Sequence, residues 1–317
     1  MKGRTSELDQ PLKLLIVNGD DFGASAESNA GILRCHREGI LTSTSLMVAE
    51  PARAEAAAAA RECPELDVGL HLVVCQGRSV LEPARLAALV DSHAAFTDSP
   101  LKAGLRYFFN RGLRQKLVDE CRAQIETHLQ LIGYLNHING HLNLHVHPVI
   151  LDILVDLAVE YRVPCLRLPR EPVLTTMRLS PDHGTRKLVE AVIFRSLSTR
   201  ARRLMAQRGI GSVDWLFGLH QSGHMTERYV HGLLARLPDN CAIELYFHPA
   251  SDVGARPPDA AAQREVELLT DPQLRDLLAR HDIRLTTYRK LAESARAARG
   301  TGSAGEGAAA TGAQAAR

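Results

Sequence analysis

Short apolar runs of strand length alternate with stretches of helical periodicity along most of the chain. Strand-like runs fall near residues 13–18, 43–48, 67–73, 135–139, 163–168, 213–218, 242–247 and 282–286. Helical patterns occupy 26–38, 114–133, 149–161, 185–208 and 263–280, among others. This alternation predicts an α/β class with a parallel sheet closed into a barrel. The first run, Leu12 to Val17, is apolar at all but one position, the pattern of a strand buried on both faces.

Chemistry gathers where these runs end. The first passes into Asn18-Gly19-Asp20-Asp21-Phe22-Gly23. Adjacent carboxylates at the end of a buried strand raise one another's pKa unless a cation neutralises them. Two readings fit: a metal ligand beside a general base, or an Asp-rich turn capping the next helix, which Gly19 and Gly23 allow. Asp67 to Val73 carries His71 inside a short apolar strand, and Ala242 to Phe247 runs into His248-Pro249. The densest segment is Asn139-Gly140-His141-Leu142-Asn143-Leu144-His145-Val146-His147-Pro148. With His137 it places four of the chain's fourteen histidines within a span of eleven residues. Imidazole is the commonest protein metal ligand, so the cluster suggests a metal site, with a surface run or satisfied core histidines as the alternative. In barrels of parallel strands the C-terminal ends converge on one face. Four strand ends bearing Asp-Asp, His, a His cluster and His therefore point to one site.

These residues resemble the YdjC-like carbohydrate deacetylase family. The resemblance rests on Asn18 to Gly23, Gly69-Leu70-His71, Gly140 to His145 and His248-Pro249, and spans roughly residues 12 to 290. It implies a distorted, TIM-like (β/α) barrel of glycoside hydrolase/deacetylase type. It further implies one divalent metal held by Asp21, His71 and His141, with Asp20 as general base, His248 as general acid and His145 lining the pocket near substrate. Two positions depart from the family pattern: Asn143 stands where many members carry histidine, and Asn139 where many carry aspartate. Within the family the chain is most similar to the branch associated with hopanoid biosynthesis, through Val17 to Asp21, Asn139 to His141 with His145 to Pro148, and Leu166 to Pro172. That branch implies removal of acetyl from an N-acetylglucosaminyl hopanoid.

Amide hydrolysis needs an activated water, a stabilised oxyanion and a proton for the leaving amine. One Asp and two His leave metal positions open for water and carbonyl, and leave the choice among Zn, Mg and Mn open. Arg167, Arg170 and Glu171 follow a strand-like run and are candidates to hold sugar hydroxyls, or form an exposed charged loop. His220 is a further candidate at the rim.

A hydrophobic content of 45% suits one large barrel domain over 12–291, after an N-terminal extension over 1–11. The Ala- and Gly-rich tail over 292–317 has no apolar periodicity and is expected to be disordered. Six scattered cysteines without a Cys-x-x-Cys pair fit reduced thiols. No signal core or bilayer-length apolar run is present, so a cytoplasmic protein is expected, peripheral to the inner membrane face. A net charge of +2 gives no nucleic-acid footprint, and no nucleic-acid partner is expected. The expected partners are a glycosylated lipid or N-acetylated sugar, the membrane surface and a second copy in a homodimer. Leu105 to Lys116 mixes Tyr107-Phe108-Phe109 with basic residues, and 185–208 carries seven basic residues against Glu190 with an apolar stripe. Both suit an anionic bilayer surface, or ordinary helix packing with a solvated basic face. Other functions consistent with the sequence are a deacetylase of a soluble chito-oligosaccharide such as diacetylchitobiose, a metal-dependent phosphoesterase and a non-catalytic sugar-binding barrel.

Overall fold

The computed structural model describes residues 12–254 and 258–306, with side chains as far as residue 297. The extension 1–11 and the end of the tail, 307–317, lie outside the described residues. In chain order the elements are β1 (Lys13–Phe22), α1 (Ala26–Glu38), β2 (Ser43–Leu46), α2 (Arg53–Glu62), β3 (Asp67–Leu72), α3 (Pro100–Phe109) and α4 (Arg114–Ile132). There follow β4 (His137–Gly140), a 3-10 turn (His141–Val146), α5 (Pro148–Glu160), β5 (Cys165–Leu166), α6 (Val173–Leu179), α7 (Gly184–Gln207) and β6 (Trp215–Phe217). The chain continues through α8 (Glu227–Leu234), β7 (Cys241–Phe247), α9 (Ala260–Thr270), α10 (Pro272–Arg280), β8 (Ile283–Leu285) and α11 (Tyr288–Glu306).

All eight strand-like runs form strands, and every pairing is parallel, in the order β5-β4-β3-β2-β1-β7-β6. The eighth, β8, pairs with the start of β1 along the edge that β2 takes from Asn18 onward. The sheet curls without closing by strand pairing. Its end strands β5 and β6 are spanned by irregular backbone bonds, Leu166 N to Gly211 O and Leu216 N to Arg170 O, each 3.0 Å. The architecture is thus α/β, a distorted and incomplete (β/α) barrel.

Strand alternation sorts the side chains. In β1, Leu15 and Val17 join the main core under the helices, whereas Ile16, Asn18 and Asp20 point into the curl. In β7, Ile243, Leu245 and Phe247 take the outer face and Glu244 and Tyr246 the inner one. Ile16, Cys165, Val213 and Tyr288 form a small apolar floor inside. Above it the interior is polar and buried. Gly69 in β3 makes room for it: a Cβ there would overlap the His137 ring, which instead lies stacked on Tyr288 with centroids 4.1 Å apart.

Two expectations about helices need correction. The pattern over 263–280 reads as one helix but divides at Asp271-Pro272. Proline supplies no N–H and fits a first helical turn, while the Asp271 side chain accepts from Gln273 N at 2.9 Å as the new N-cap. The tail expected to lack structure from Ala292 instead continues α11 as far as Glu306. Its Lys290 to Arg299 stretch is rich in Ala, Glu and Arg, which favour helix without any periodic apolar face.

Core histidines make stability depend on pH. His128 of α4 is fully buried with its Nε2 on the Tyr134 carbonyl at 3.1 Å, and burial pushes its pKa down to about 4. The unfolded chain therefore binds the proton first as pH falls, so stability is full above about 6.5 and declines toward 4. His128 is expected to contribute on the order of 3 kcal/mol to that decline. Urea midpoints measured between pH 7 and 4 should fall, and His128→Gln should flatten the slope; an unchanged slope would contradict the assignment.

Candidate metal centre

Ideal strand alternation would send Asp20 inward and Asp21 outward. The structure brings both to the interior because the β1–β2 register is irregular between Gly19 and Phe22, and Asp21 adopts a left-handed backbone with φ 66°. Aspartate tolerates that conformation better than most side chains, and Gly23 follows at φ 86°. Asp21 Oδ1 then lies 3.1 Å from His71 Nε2 and 3.2 Å from His141 Nδ1. The two imidazoles meet edge to face, their centroids 5.5 Å apart. His141 follows β4 and opens the 3-10 turn, in which Leu142 and Asn143 are both left-handed, at φ 55° and 56°.

The donor set fits a cation. Neither Asp21 Oδ1 nor His71 Nε2 has an aligned hydrogen bond, although both are buried from solvent. Unpaired polar atoms of this kind are costly unless something else satisfies them. His71 is also held in the tautomer a metal requires: its Nδ1 donates to Asn139 Oδ1 at 2.7 Å, which leaves the Nε2 lone pair facing Asp21. Burial alone would raise the Asp21 carboxyl, but His141 and His71 beside it hold it well below the ordinary range, so it is a carboxylate ready to ligate.

Asp20 has a different environment. It is 2% exposed and is gripped by Arg167, with Nη1 on Oδ2 at 2.6 Å and Nη2 on Oδ1 at 2.8 Å. Asn18, Ser45 and Asn139 also donate to Oδ1, at 2.7, 3.0 and 3.1 Å. Burial pushes this carboxyl up, and the Arg167 and His71 charges more than reverse it. Oδ2 accepts from Arg167 alone and keeps a lone pair. On its other side Arg167 donates to Glu244 through Nε at 3.0 Å, and Tyr288 donates to the second Glu244 oxygen. Tyr246 lies over the guanidinium at 4.7 Å.

Several expected site residues stand elsewhere than the sequence suggested. Arg167 does not present its charge to a sugar: it is 1% exposed and committed to Asp20 and Glu244, because it lies on the inward side of the β5 end. His145 does not line a pocket. It is buried beneath the turn with Nε2 on the Arg167 carbonyl at 3.0 Å, and burial pushes its pKa down to about 3. Arg170 lies partly exposed over the Trp215 ring at 4.3 Å, and Glu171 accepts from Thr176 and from His220 N. His220 is buried, its Nδ1 3.3 Å from Glu190. His248 is half-buried at the end of β7, T-shaped against Tyr246, and its charge helps depress both Asp20 and Asp21. The sequence reading missed Ser45, Glu244, Tyr246 and Tyr288. The single charged residue in the otherwise apolar run of β7, four positions before His248, was the available signal for Glu244.

The chain is similar to known proteins over most of its length. A family model described as YdjC-like protein matches residues 14–280. A carbohydrate deacetylase of Geobacillus stearothermophilus is 30% identical over 291 residues, covering 87% of this chain and 96% of that protein. A carbohydrate deacetylase of Brevibacillus brevis is 39% identical over 150 residues, covering 47% of this chain and 57% of that protein. Among solved structures, a protein of Enterococcus faecalis V583 named for cellobiose-phosphate cleavage superposes with a TM-score of 0.67 at 22% identity. The superposition covers 88% of this chain and 99% of that one, and shows that the two share a fold.

The buried triad of Asp20, Arg167 and Glu244 yields a direct test. Arg167→Met leaves two carboxylates buried without a counter-charge and should cost about 3–5 kcal/mol. Equilibrium urea unfolding measures it, and a loss under 1 kcal/mol would show that Arg167 is dispensable to the fold.

Proposed function

Because the chain belongs to the YdjC-like family, we propose that it is a metal-dependent carbohydrate N-deacetylase acting on an N-acetylglucosaminyl group. The observation that carries this reading is the convergence of Asp21, His71 and His141 donor atoms beside a carboxylate, Asp20, that is held ionised but not among them. Asp21, His71 and His141 would hold a divalent ion, which would supply Lewis-acid chemistry to the acetamide carbonyl and to water. The protein groups do the rest. Asp20 takes the water proton on the free lone pair of Oδ2, and its Arg167 clamp fixes the direction of that oxygen. His71 is oriented by Asn139 and Ser45. His248, which follows β7 beside the end of β1, gives a proton to the departing amine nitrogen. The carbon–nitrogen bond breaks, water oxygen enters the acetate, and the sugar leaves with a free amine. Arg170 and Glu171, at the end of β5, are the groups we assign to the sugar rim.

The lipid-linked substrate is favoured by where apolar surface is exposed. Leu101, Leu105, Phe108 and Phe109 of α3, Leu142 beside His141, Leu174 of α6, and Leu188, Val189, Val192 and Ile193 of α7 are all exposed large hydrophobics. Both α3 and α7 pack against the turn that carries His141. Apolar surface thus flanks the mouth of the cluster on two sides, as a site drawing a hopanoid from a bilayer requires. Among the described residues no helix is long and apolar enough to cross a membrane, so contact is peripheral.

Loss of one acetyl group, followed by mass spectrometry, is expected for an N-acetylglucosaminyl hopanoid and should stop with chelator. Turnover of diacetylchitobiose alone would keep the chemistry and remove the lipid. Asp20→Asn should keep bound metal while lowering turnover by at least about 100-fold. Asp21→Asn, whose amide suits the left-handed backbone, should weaken metal binding beyond the roughly 10–100-fold that loss of an outer partner costs. Retention of metal by Asp21→Asn and its release from Asp20→Asn would reverse the assignment. In flotation with anionic liposomes the protein should rise with the vesicles and Val189→Glu/Val192→Glu should stay below; a wild-type protein that never floats would count against membrane contact.

A further inference from the structure

A cavity of about 610 Å³ lies between α7 and the segment that follows β5; Arg170 and Glu171, assigned above to the sugar rim, line it, and Asp21, His71 and His141 do not. Four arginines line it: Arg170 from the end of β5, and Arg195, Arg202 and Arg203 from α7. Its apolar wall includes Leu174, Phe194 and Trp215, with Arg170 stacked on the indole.

The charge pattern of α7 sets these arginines apart. Arg186, Arg200 and Arg208 each have a carboxylate partner, respectively Glu190, Asp152 and Asp156, at 2.6 to 3.1 Å. Among the described residues no carboxylate lies within ion-pair reach of Arg195, Arg202 or Arg203. Arg170 reaches only the Asp214 backbone carbonyl, at 3.4 Å, while the Asp214 carboxylate accepts from Ala242 N. Glu171, the acidic residue on the wall, accepts from Thr176 and His220 N, and burial raises its pKa toward the neutral form. Burial, followed by the charges of Arg202 and Arg195, lowers the Arg170 pKa, as expected of guanidiniums that face one another without a counter-ion. Guanidiniums match the oxygens of phosphate in paired hydrogen bonds, and a multi-oxygen anion can satisfy several at once.

We propose that this cavity binds a phosphate group attached to an apolar or sugar moiety, the phosphate on the arginines and the attached moiety along Trp215, Phe194 and Leu174. The same chemistry is presented by an anionic phospholipid headgroup and by a soluble sugar phosphate. Glu171 and His220, which follow β5 and β6, place the cavity on the rim toward which β1 and β4 direct Asp21 and His141. An anion here would anchor a ligand beside that site.

Calorimetric titration of the chelator-treated protein with inorganic phosphate, at constant ionic strength, tests the inference without relying on deacetylation. Saturable binding is expected, and Arg195→Gln/Arg202→Gln should weaken it at least tenfold. Arg186→Gln/Arg208→Gln removes the same charge from the same helix at paired positions and should leave it within twofold. Tighter binding of glucosamine 6-phosphate than of inorganic phosphate would support the proposal with a soluble source. Flotation with phosphatidylglycerol but not phosphatidylcholine vesicles, lost only in Arg195→Gln/Arg202→Gln, would support it with a lipid source. No phosphate binding by the wild type, or equal loss in both double variants, would overturn it and leave the deacetylase reading intact.

Discussion

A guanidinium buried between two carboxylates is the constraint around which the interior is organised. Arg167 joins Asp20 at the end of β1 to Glu244 in β7, and Tyr288 and Tyr246 close over the pair. Removing three charges from water is expensive, and the expense is offset only where each oxygen and N–H has a partner in good geometry. Here the partners come from β1, β2, β4, β5, β7 and the start of α11. The curled sheet is what brings such distant segments of the chain within hydrogen-bond reach. The same network fixes the direction of Asp20 and, through Asn139 and Ser45, the ring of His71. Structural and chemical demands therefore fall on the same atoms.

That coupling accounts for asparagine at the two positions where the family resemblance made aspartate and histidine the expected residues. An aspartate at 139 would set a second carboxylate against Asp20, within reach of the atom that Asn139 now supplies with an N–H. The amide accepts from His71 on one side and donates to Asp20 and Ser45 on the other, which a carboxylate does not do. Asn143 sits in a left-handed backbone, which asparagine favours, with its side chain near Tyr246. Both substitutions suit the local geometry while leaving the three donor atoms in place.

The outer surface carries a different division. The helices around the turn at His141 expose large apolar side chains, whereas the flank of α7 toward β5 gathers arginines over a cavity. On α7 the two kinds of side chain adjoin one another, with Val192 beside Arg195 and Arg203. Such a helix has a weak amphipathic signal, because its buried side includes Lys187 and Ser198 while Leu188, Val189 and Val192 are exposed among arginines.

The sequence alone determined the class of fold, the parallel strands and the segments at which chemistry is placed, because period-2 runs and polar residues at strand ends are local properties. All eight strands and the helix from Ala26 were visible in this way, whereas the trio of Asp21, His71 and His141 was implied by the family resemblance. Only the tertiary structure decided which charges are buried and with what. Arg167 reads in the sequence as a residue beyond a strand and becomes the centre of the interior once β5 meets β1 and β7. His145 reads as a residue lining the pocket near substrate and becomes a support beneath the turn. Glu244 and Tyr288 have no local signature that joins them to Asp20, since their meeting depends on how far the sheet curls. The break at Asp271-Pro272 had a local signal that the reading of 263–280 as one helix passed over, whereas burial and pairing are properties of contacts between residues over a hundred positions apart.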